Sequence, residues 1–155
     1  MIHKGTVLVI AAHPDDEVLG CGGTIARLTD AGQSVHVLLL ADGESSRAPA
    51  DSSGVVGDAV AARNAAAEKA CRILGCASVE CLALPDNRMD GQVLLTVVKE
   101  IEARIERHVP TMVLTHHCGD VNVDHRVVHQ AVIVACRPMP NNPVRELLFF
   151  EVPSS

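Results

Sequence analysis

Thr6-Val7-Leu8-Val9-Ile10-Ala11-Ala12 runs straight into His13-Pro14-Asp15-Asp16-Glu17. The first seven residues are apolar without a break and rich in β-branched side chains. Such a run reads as a strand buried on both faces, as in a parallel sheet. The next five hold three carboxylates and an imidazole. Like charge at that density is unfavourable unless a cation compensates it.

Working outward, the chain alternates strands with helices. Gly22 to Ala31 reads as a helix stopped by Gly32, and Val35 to Leu40 as a second buried strand. Asp42 to Gly57 is rich in Ser, Ala, Pro, Gly and Asp and reads as a long loop, a common seat of function. An Ala-rich helix follows over Asp58 to Leu74, closed by Gly75, then a strand over Ser78 to Leu84. Leu94, Val97, Val98, Ile101 and Ile105 fall at helical spacing among charged residues, the pattern of an amphipathic helix. Thr111 to Thr115 is the fourth strand, His125 to Cys136 the fourth helix and Glu146 to Val152 the fifth strand.

This alternation implies βαβ units in a single α/β domain over residues 1–155: a Rossmann-like three-layer sandwich around a mostly parallel five-stranded sheet. The doubly wound order 3-2-1-4-5 makes the first and fourth strands neighbours, and ligands bind beyond the strand ends where the winding reverses. The fourth strand leads into His116-His117-Cys118-Gly119-Asp120-Val121-Asn122-Val123-Asp124-His125. The topology therefore brings two polar clusters to one crevice. Two imidazoles and a carboxylate suit Zn²⁺, and three protein ligands leave a position open for water. Neighbouring aspartates can divide the work, one ligating and the other acting as base.

Composition narrows the field. There is no Trp or Tyr, and Phe149 and Phe150 are the whole aromatic complement. Base stacking on single-stranded nucleic acid is disfavoured. The net charge of -6, without a basic stripe, argues further against nucleic-acid partners. No apolar stretch reaches membrane-spanning length, and the start lacks a cleavable leader, so a cytoplasmic protein with reduced thiols is expected. The six cysteines include no C-x-x-C pair, which excludes a zinc ribbon. Cys118 is expected to be a packed free thiol. Gly20-Cys21-Gly22-Gly23 is no dinucleotide fingerprint, because Ile25 stands where the third glycine belongs. These glycines are expected to let the helix approach the sheet and the metal loop.

Ala12-His13-Pro14-Asp15-Asp16-Glu17 with Gly20-Cys21-Gly22-Gly23, and the stretch Thr115 to Arg126, strongly resemble the PIG-L/LmbE-like N-acetylglucosaminyl deacetylases. Leu84-Pro85-Asp86-Asn87 and the final Glu151-Val152-Pro153-Ser154-Ser155 also look like family elements. The resemblance implies that His13, Asp16 and His125 bind zinc, with Fe²⁺ or another divalent ion as substitutes. It implies that Asp15 is the general base and that Asp124 orients catalytic groups. The substrate would be an amino-sugar conjugate that loses its N-acetyl group as acetate. Many relatives carry a His where this chain has Asn122, which cannot protonate an amine. That leaves Asp15, His116 or His117 as the acid.

Arg47, Arg63, His117 and Asn122 are candidate substrate contacts, and Asp42, Glu44 and Asp86 either contact sugar hydroxyls or shape turns. Relatives usually continue past the Glu-x-Pro-Ser-Ser segment, so the usual C-terminal part is expected to be absent, and a homo-oligomer is a possible means of closing the pocket. The alternatives from other classes are a metal-binding module without turnover and a metal-free nucleotide-binding protein.

Overall fold

The computed structural model describes residues 5–46 and 53–153. Its elements run β1 (Thr6–Ala11), α1 (Asp16–Asp30), β2 (Ser34–Ala41), α2 (Ser53–Ile73), β3 (Ser78–Leu84), a 3₁₀ turn (Met89–Gly91), α3 (Leu94–His108), β4 (Met112–His116), α4 (Val123–Ala135) and β5 (Glu146–Phe150). The five strands form one sheet in the order β3-β2-β1-β4-β5, and every pairing is parallel. The expected doubly wound α/β sandwich is therefore the fold.

Alternation along β1 builds both cores. Leu8, Ile10 and Ala12 join Leu38, Leu40 and the inner faces of α3 and α4, including Val97, Ile101, Val128 and Val132. Val7, Val9 and Ala11 point the other way, to Val35, Val37, Leu39, α1 through Ile25 and Leu28, and α2 through Ala67 and Cys71. Both faces of β1 are covered, which is why its sequence shows no polar alternation. Each fully buried Leu or Ile contributes roughly 1.5–3 kcal/mol of transfer free energy.

Three helices start earlier than expected, and β5 ends at Phe150 and not at Val152. α1 begins at Asp16 and kinks at Cys21, whose φ of -144° is not helical; the helix read from Gly22 is the part beyond the kink. α2 begins at Ser53, inside the segment read as loop. α4 begins at Val123 because the Asn122 side chain caps it, accepting from the N–H groups of Asp124 and His125. Of the early glycines, Gly20 alone meets the close-packing expectation. A Cβ there would collide with the Phe150 ring, whereas one on Gly23 would meet nothing within 4 Å. No helix among the described residues is long and apolar enough to cross a membrane.

Candidate metal centre and cavity

The end of β1 and the start of α4 meet at the winding reversal between β1 and β4. His13 leaves β1 and is pinned by its own loop: its N–H donates to Asp16 Oδ2 at 2.8 Å. The same Asp16 oxygen lies 3.3 Å from His13 Nδ1 and 3.2 Å from His125 Nε2. His13 Nδ1 and His125 Nε2 are 3.3 Å apart. The three donor atoms thus form a nearly equilateral triangle. Ligands about 2.0–2.1 Å from a tetrahedral Zn²⁺ stand about 3.3–3.4 Å from one another, so the triangle has the edge length of a zinc site. All three side chains are buried, and all three line a cavity of about 330 Å³.

The outward nitrogens are held too. His125 Nδ1 meets Asp120 Oδ2 at 2.8 Å. His13 Nε2 meets Asp124 Oδ2 at 3.0 Å and Asp86 Oδ1 at 3.1 Å. Carboxylates behind ligating histidines fix the ring and the tautomer that faces the metal. Two other donor groups, His116 with Asp120 and His125, and His13 with Asp86 and Asp124, also converge. Only His13, Asp16 and His125 place all three residues on the cavity wall.

The electrostatics point the same way. Burial would depress His13, but hydrogen bonds and charge from Asp124 and Asp16 outweigh it and hold the imidazole up at about 10. For Asp16, burial opposes ionisation, yet the three surrounding imidazoles keep its carboxyl far below the carboxylate range. This is a donor set arranged around positive charge.

Asp15 stands on the rim. Its φ of 143° lies in a region that a non-glycine residue rarely adopts, and its side chain makes no cap hydrogen bond to α1. Glu17 Oε2 accepts its N–H at 3.0 Å and helps hold that conformation. Strained backbone of this kind collects at functional positions. Arg63 Nη1 donates to Asp15 Oδ2 at 3.2 Å and to the Pro14 carbonyl at 3.2 Å, while its Nε reaches Glu44 Oε1 at 2.5 Å. Burial and the charge of Asp16 raise Asp15 above its ordinary value, against the pull of Arg63. A raised carboxylate beside an open cavity suits a general base.

The remaining candidates divide. Asn122 lines the cavity; its Oδ1 is committed to the α4 cap, and its Nδ2 donates to Asn87 Oδ1 at 3.2 Å. Asp124 is fully buried beneath the cavity. It accepts from Asn87 N at 2.7 Å and Met89 N at 3.0 Å as well as meeting His13, and it does not line the cavity. His117 lines a neighbouring hollow with Asp120, Glu151 and Val152, outside the cavity above the donors. The peptide between His116 and His117 sends the two rings apart. His116 Nε2 accepts the Ala12 N–H at 2.9 Å, and its ring stacks on His125 at 3.9 Å, behind the site. Of the three acids left open, Asp15 alone borders the cavity. Cys118 is exposed beside His117, not packed. Arg47 lies outside the described residues.

Asp42 shapes its own turn, accepting from the N–H groups of Glu44 and Ser45. Asp120 and the histidine-holding role of Asp86 were missing from the sequence reading. The one available signal was a carboxylate five residues before His125.

The comparisons with known proteins point to one family. The family model described as PIG-L, GlcNAc-PI de-N-acetylase, matches residues 8–136. The chain belongs to the PIG-L family of deacetylases. It is 32% identical over 154 residues to the uncharacterized deacetylase YaiS of Escherichia coli K12, covering 96% of this chain and 75% of YaiS. The structure of N,N'-diacetylchitobiose deacetylase from Pyrococcus horikoshii superposes with a TM-score of 0.76 at 26% identity, over 91% of this chain and 53% of that one. GalB, the 4-carboxy-2-hydroxymuconate hydratase of Pseudomonas putida KT2440, superposes with a TM-score of 0.73 at 29% identity, over 84% of this chain and 55% of GalB. The chain thus spans about half the length of these two solved relatives.

Proposed function

We propose that this PIG-L family member removes the N-acetyl group of an amino-sugar conjugate, releasing acetate, with a divalent metal held by His13 Nδ1, Asp16 Oδ2 and His125 Nε2. Zn²⁺ fits the donor set and spacing best, and Fe²⁺ is the nearest substitute. The observation that carries the reading is the 3.2–3.3 Å donor triangle at the floor of a cavity whose rim bears Asp15. The name of the P. horikoshii relative supports an acetylated amino sugar as the substrate class. A bound divalent cation supplies Lewis acidity for the amide carbonyl and compensates the charge that develops on its oxygen.

The chain's own residues do the rest. Asp15 accepts a proton from the attacking water and returns it to the amine as the C–N bond breaks. Its raised affinity for protons helps in both directions. Arg63 aims Asp15 and closes one wall of the cavity. Asp120 and Asp124 keep His125 and His13 facing inward. Asn122 keeps α4 capped and offers an amide, not an acid, to the cavity.

The test is acetate release from N-acetylglucosamine derivatives, including diacetylchitobiose, by the zinc-loaded protein and by Asp15→Ala. Loss of an acid–base residue removes about 10²–10⁴-fold in rate. Asp15→Ala should lose activity in that range while keeping its metal. Undiminished turnover in Asp15→Ala would sink the assignment. Tight metal binding without acetate release across the panel would instead favour a binding module.

A further inference from the structure

Away from the metal centre, four of the six cysteines gather on one side of the sheet. Cys21 and Cys71 are buried in the core beneath α1 and α2, and Cys76 and Cys81 pack against it. Among the described residues, no group of three side chains able to hold a metal includes a cysteine. Thiol–thiol chemistry is what this cluster offers.

Two of the four are placed in contact by the way α2 ends. Gly75 takes a φ of 77°. Its N–H donates to the Arg72 carbonyl at 3.3 Å, and the Cys76 N–H donates to the Cys71 carbonyl at 2.9 Å. This pair of bonds is a Schellman motif. In it, the side chain three positions inside the helix end meets the side chain just past the glycine. Those positions are usually apolar; here both are cysteine. The turn is anchored from outside as well: Thr29 Oγ1 donates to the Leu74 carbonyl at 2.7 Å, and a Cβ on Gly75 would crowd Thr29 at 3.2 Å.

We propose that Cys71 and Cys76 form a redox-active dithiol that hydrogen peroxide converts to an intramolecular disulfide. The Cys76 N–H bond to the Cys71 carbonyl sets the two backbones side by side, the juxtaposition from which a disulfide can close. Cys76 is partly exposed, whereas Cys71 is buried, so the oxidant meets Cys76 first. The two thiols influence each other, drawing Cys76 below its ordinary value and raising Cys71. The thiolate is the nucleophile in such chemistry.

In the first step the Cys76 thiolate attacks one peroxide oxygen; the O–O bond breaks, giving the sulfenic acid and hydroxide. In the second, the Cys71 sulfur attacks the Cys76 sulfur, the S–O bond breaks, and water leaves with the Cys71 proton. Two thiols are oxidised and one peroxide is reduced. A thiol reductant reverses the bond.

The experiment treats the whole chain with graded hydrogen peroxide, blocks remaining thiols, and maps the products after digestion with trypsin. Cleavage after Lys69, Arg72 and Arg88 puts Cys71 and Cys76 on separate peptides. The expected result is a crosslink between peptides 70–72 and 73–88, with fragment spectra assigning Cys76 and not Cys81, and an intact mass lower by two hydrogens. In Cys71→Ser the sulfenic acid lacks its partner, so a sulfenate-trapping dione should label Cys76 there and not in the parent. Exposed Cys118 serves as the internal reference. If Cys71 and Cys76 remain thiols at a peroxide dose that oxidises Cys118, or if the bond maps to another pair, the proposal fails.

Discussion

Asp120 makes the most demanding test of the site, because it neither lines the cavity nor supplies one of the three donor atoms and acts only through His125. Its Oδ2 lies 2.8 Å from His125 Nδ1, and its side chain is almost wholly buried. Asp120→Ala removes the acceptor that fixes which His125 nitrogen faces inward. Loss of such a carboxylate behind a metal histidine typically weakens metal affinity 10–100-fold, or about 1.4–2.7 kcal/mol. His125 Nε2 is one corner of a triangle whose other two corners are held independently, through Asp16 and through the Asp124 contact to His13. One corner loosens, and the effect should fall inside that range. Asp120→Asn retains an oxygen acceptor but loses the charge, and should fall between the parent and Asp120→Ala. Competition for Zn²⁺ against a chromogenic chelator reads affinity directly. A dissociation constant within twofold of the parent for Asp120→Ala would refute the argument that this contact orients the ligand.

Two further outcomes follow from packing and titration. Gly20→Ala would put a methyl 2.8 Å from Phe150 Cε2 and closer still to Cδ2. The ring packs against His116 and cannot withdraw freely, so unfolding in urea should show a loss of about 1–3 kcal/mol, partly restored by Phe150→Leu. At the opposite end of the sheet His36 and His108 stack at 4.0 Å, with Glu80, Arg104 and Arg107 around them. Burial lowers both imidazoles below the ordinary 6.5; the neighbouring imidazole adds to this for His36, and Arg107 for His108. The unfolded chain therefore binds protons that the folded one does not. The stability present above 6.5 is lost as pH falls through the depressed values. His36→Gln should flatten the decline of the urea midpoint between about pH 7.5 and 5.5. An unchanged slope would show that the pair does not titrate with folding.

Much of the fold is legible in the sequence because β1 and β4 advertise themselves. Val7 to Ala12 and Met112 to Thr115 are apolar on both faces, and each ends abruptly in polar residues. Strand order then brings the two polar clusters to one crevice, and the choice of His13, Asp16 and His125 within them rests on the family resemblance. The second layer was hidden. Whether Asp86 reaches His13 depends on the path of the turn after β3, and whether Asp120 reaches His125 depends on a loop folding back across five residues. Neither follows from periodicity. Adjacent histidines in an extended segment point to opposite sides, so His116 and His117 could never both have entered one cavity. The start of α1 was obscured by its own kink at Cys21, and the glycines that suggested a later beginning lie beyond it.

Asp124 holds His13 with one oxygen and shares its carboxylate between the main-chain N–H groups of Asn87 and Met89. Those donors belong to the peptide backbone, so exchanging the Asn87 side chain leaves them in place. Asn87 also forms part of the cavity wall. Its φ of 52° restricts the exchange to residues at ease in that conformation, chiefly Asn, Asp and Gly. Within that short alphabet, an exchange changes the cavity wall and, with it, the bond from Asn87 Nδ2 to Asp86 Oδ1, the second carboxylate against His13. The cavity wall and the hold on His13 are thus separable at Asp124, which grips only main chain here, and joined at Asp86, which answers to the side chain.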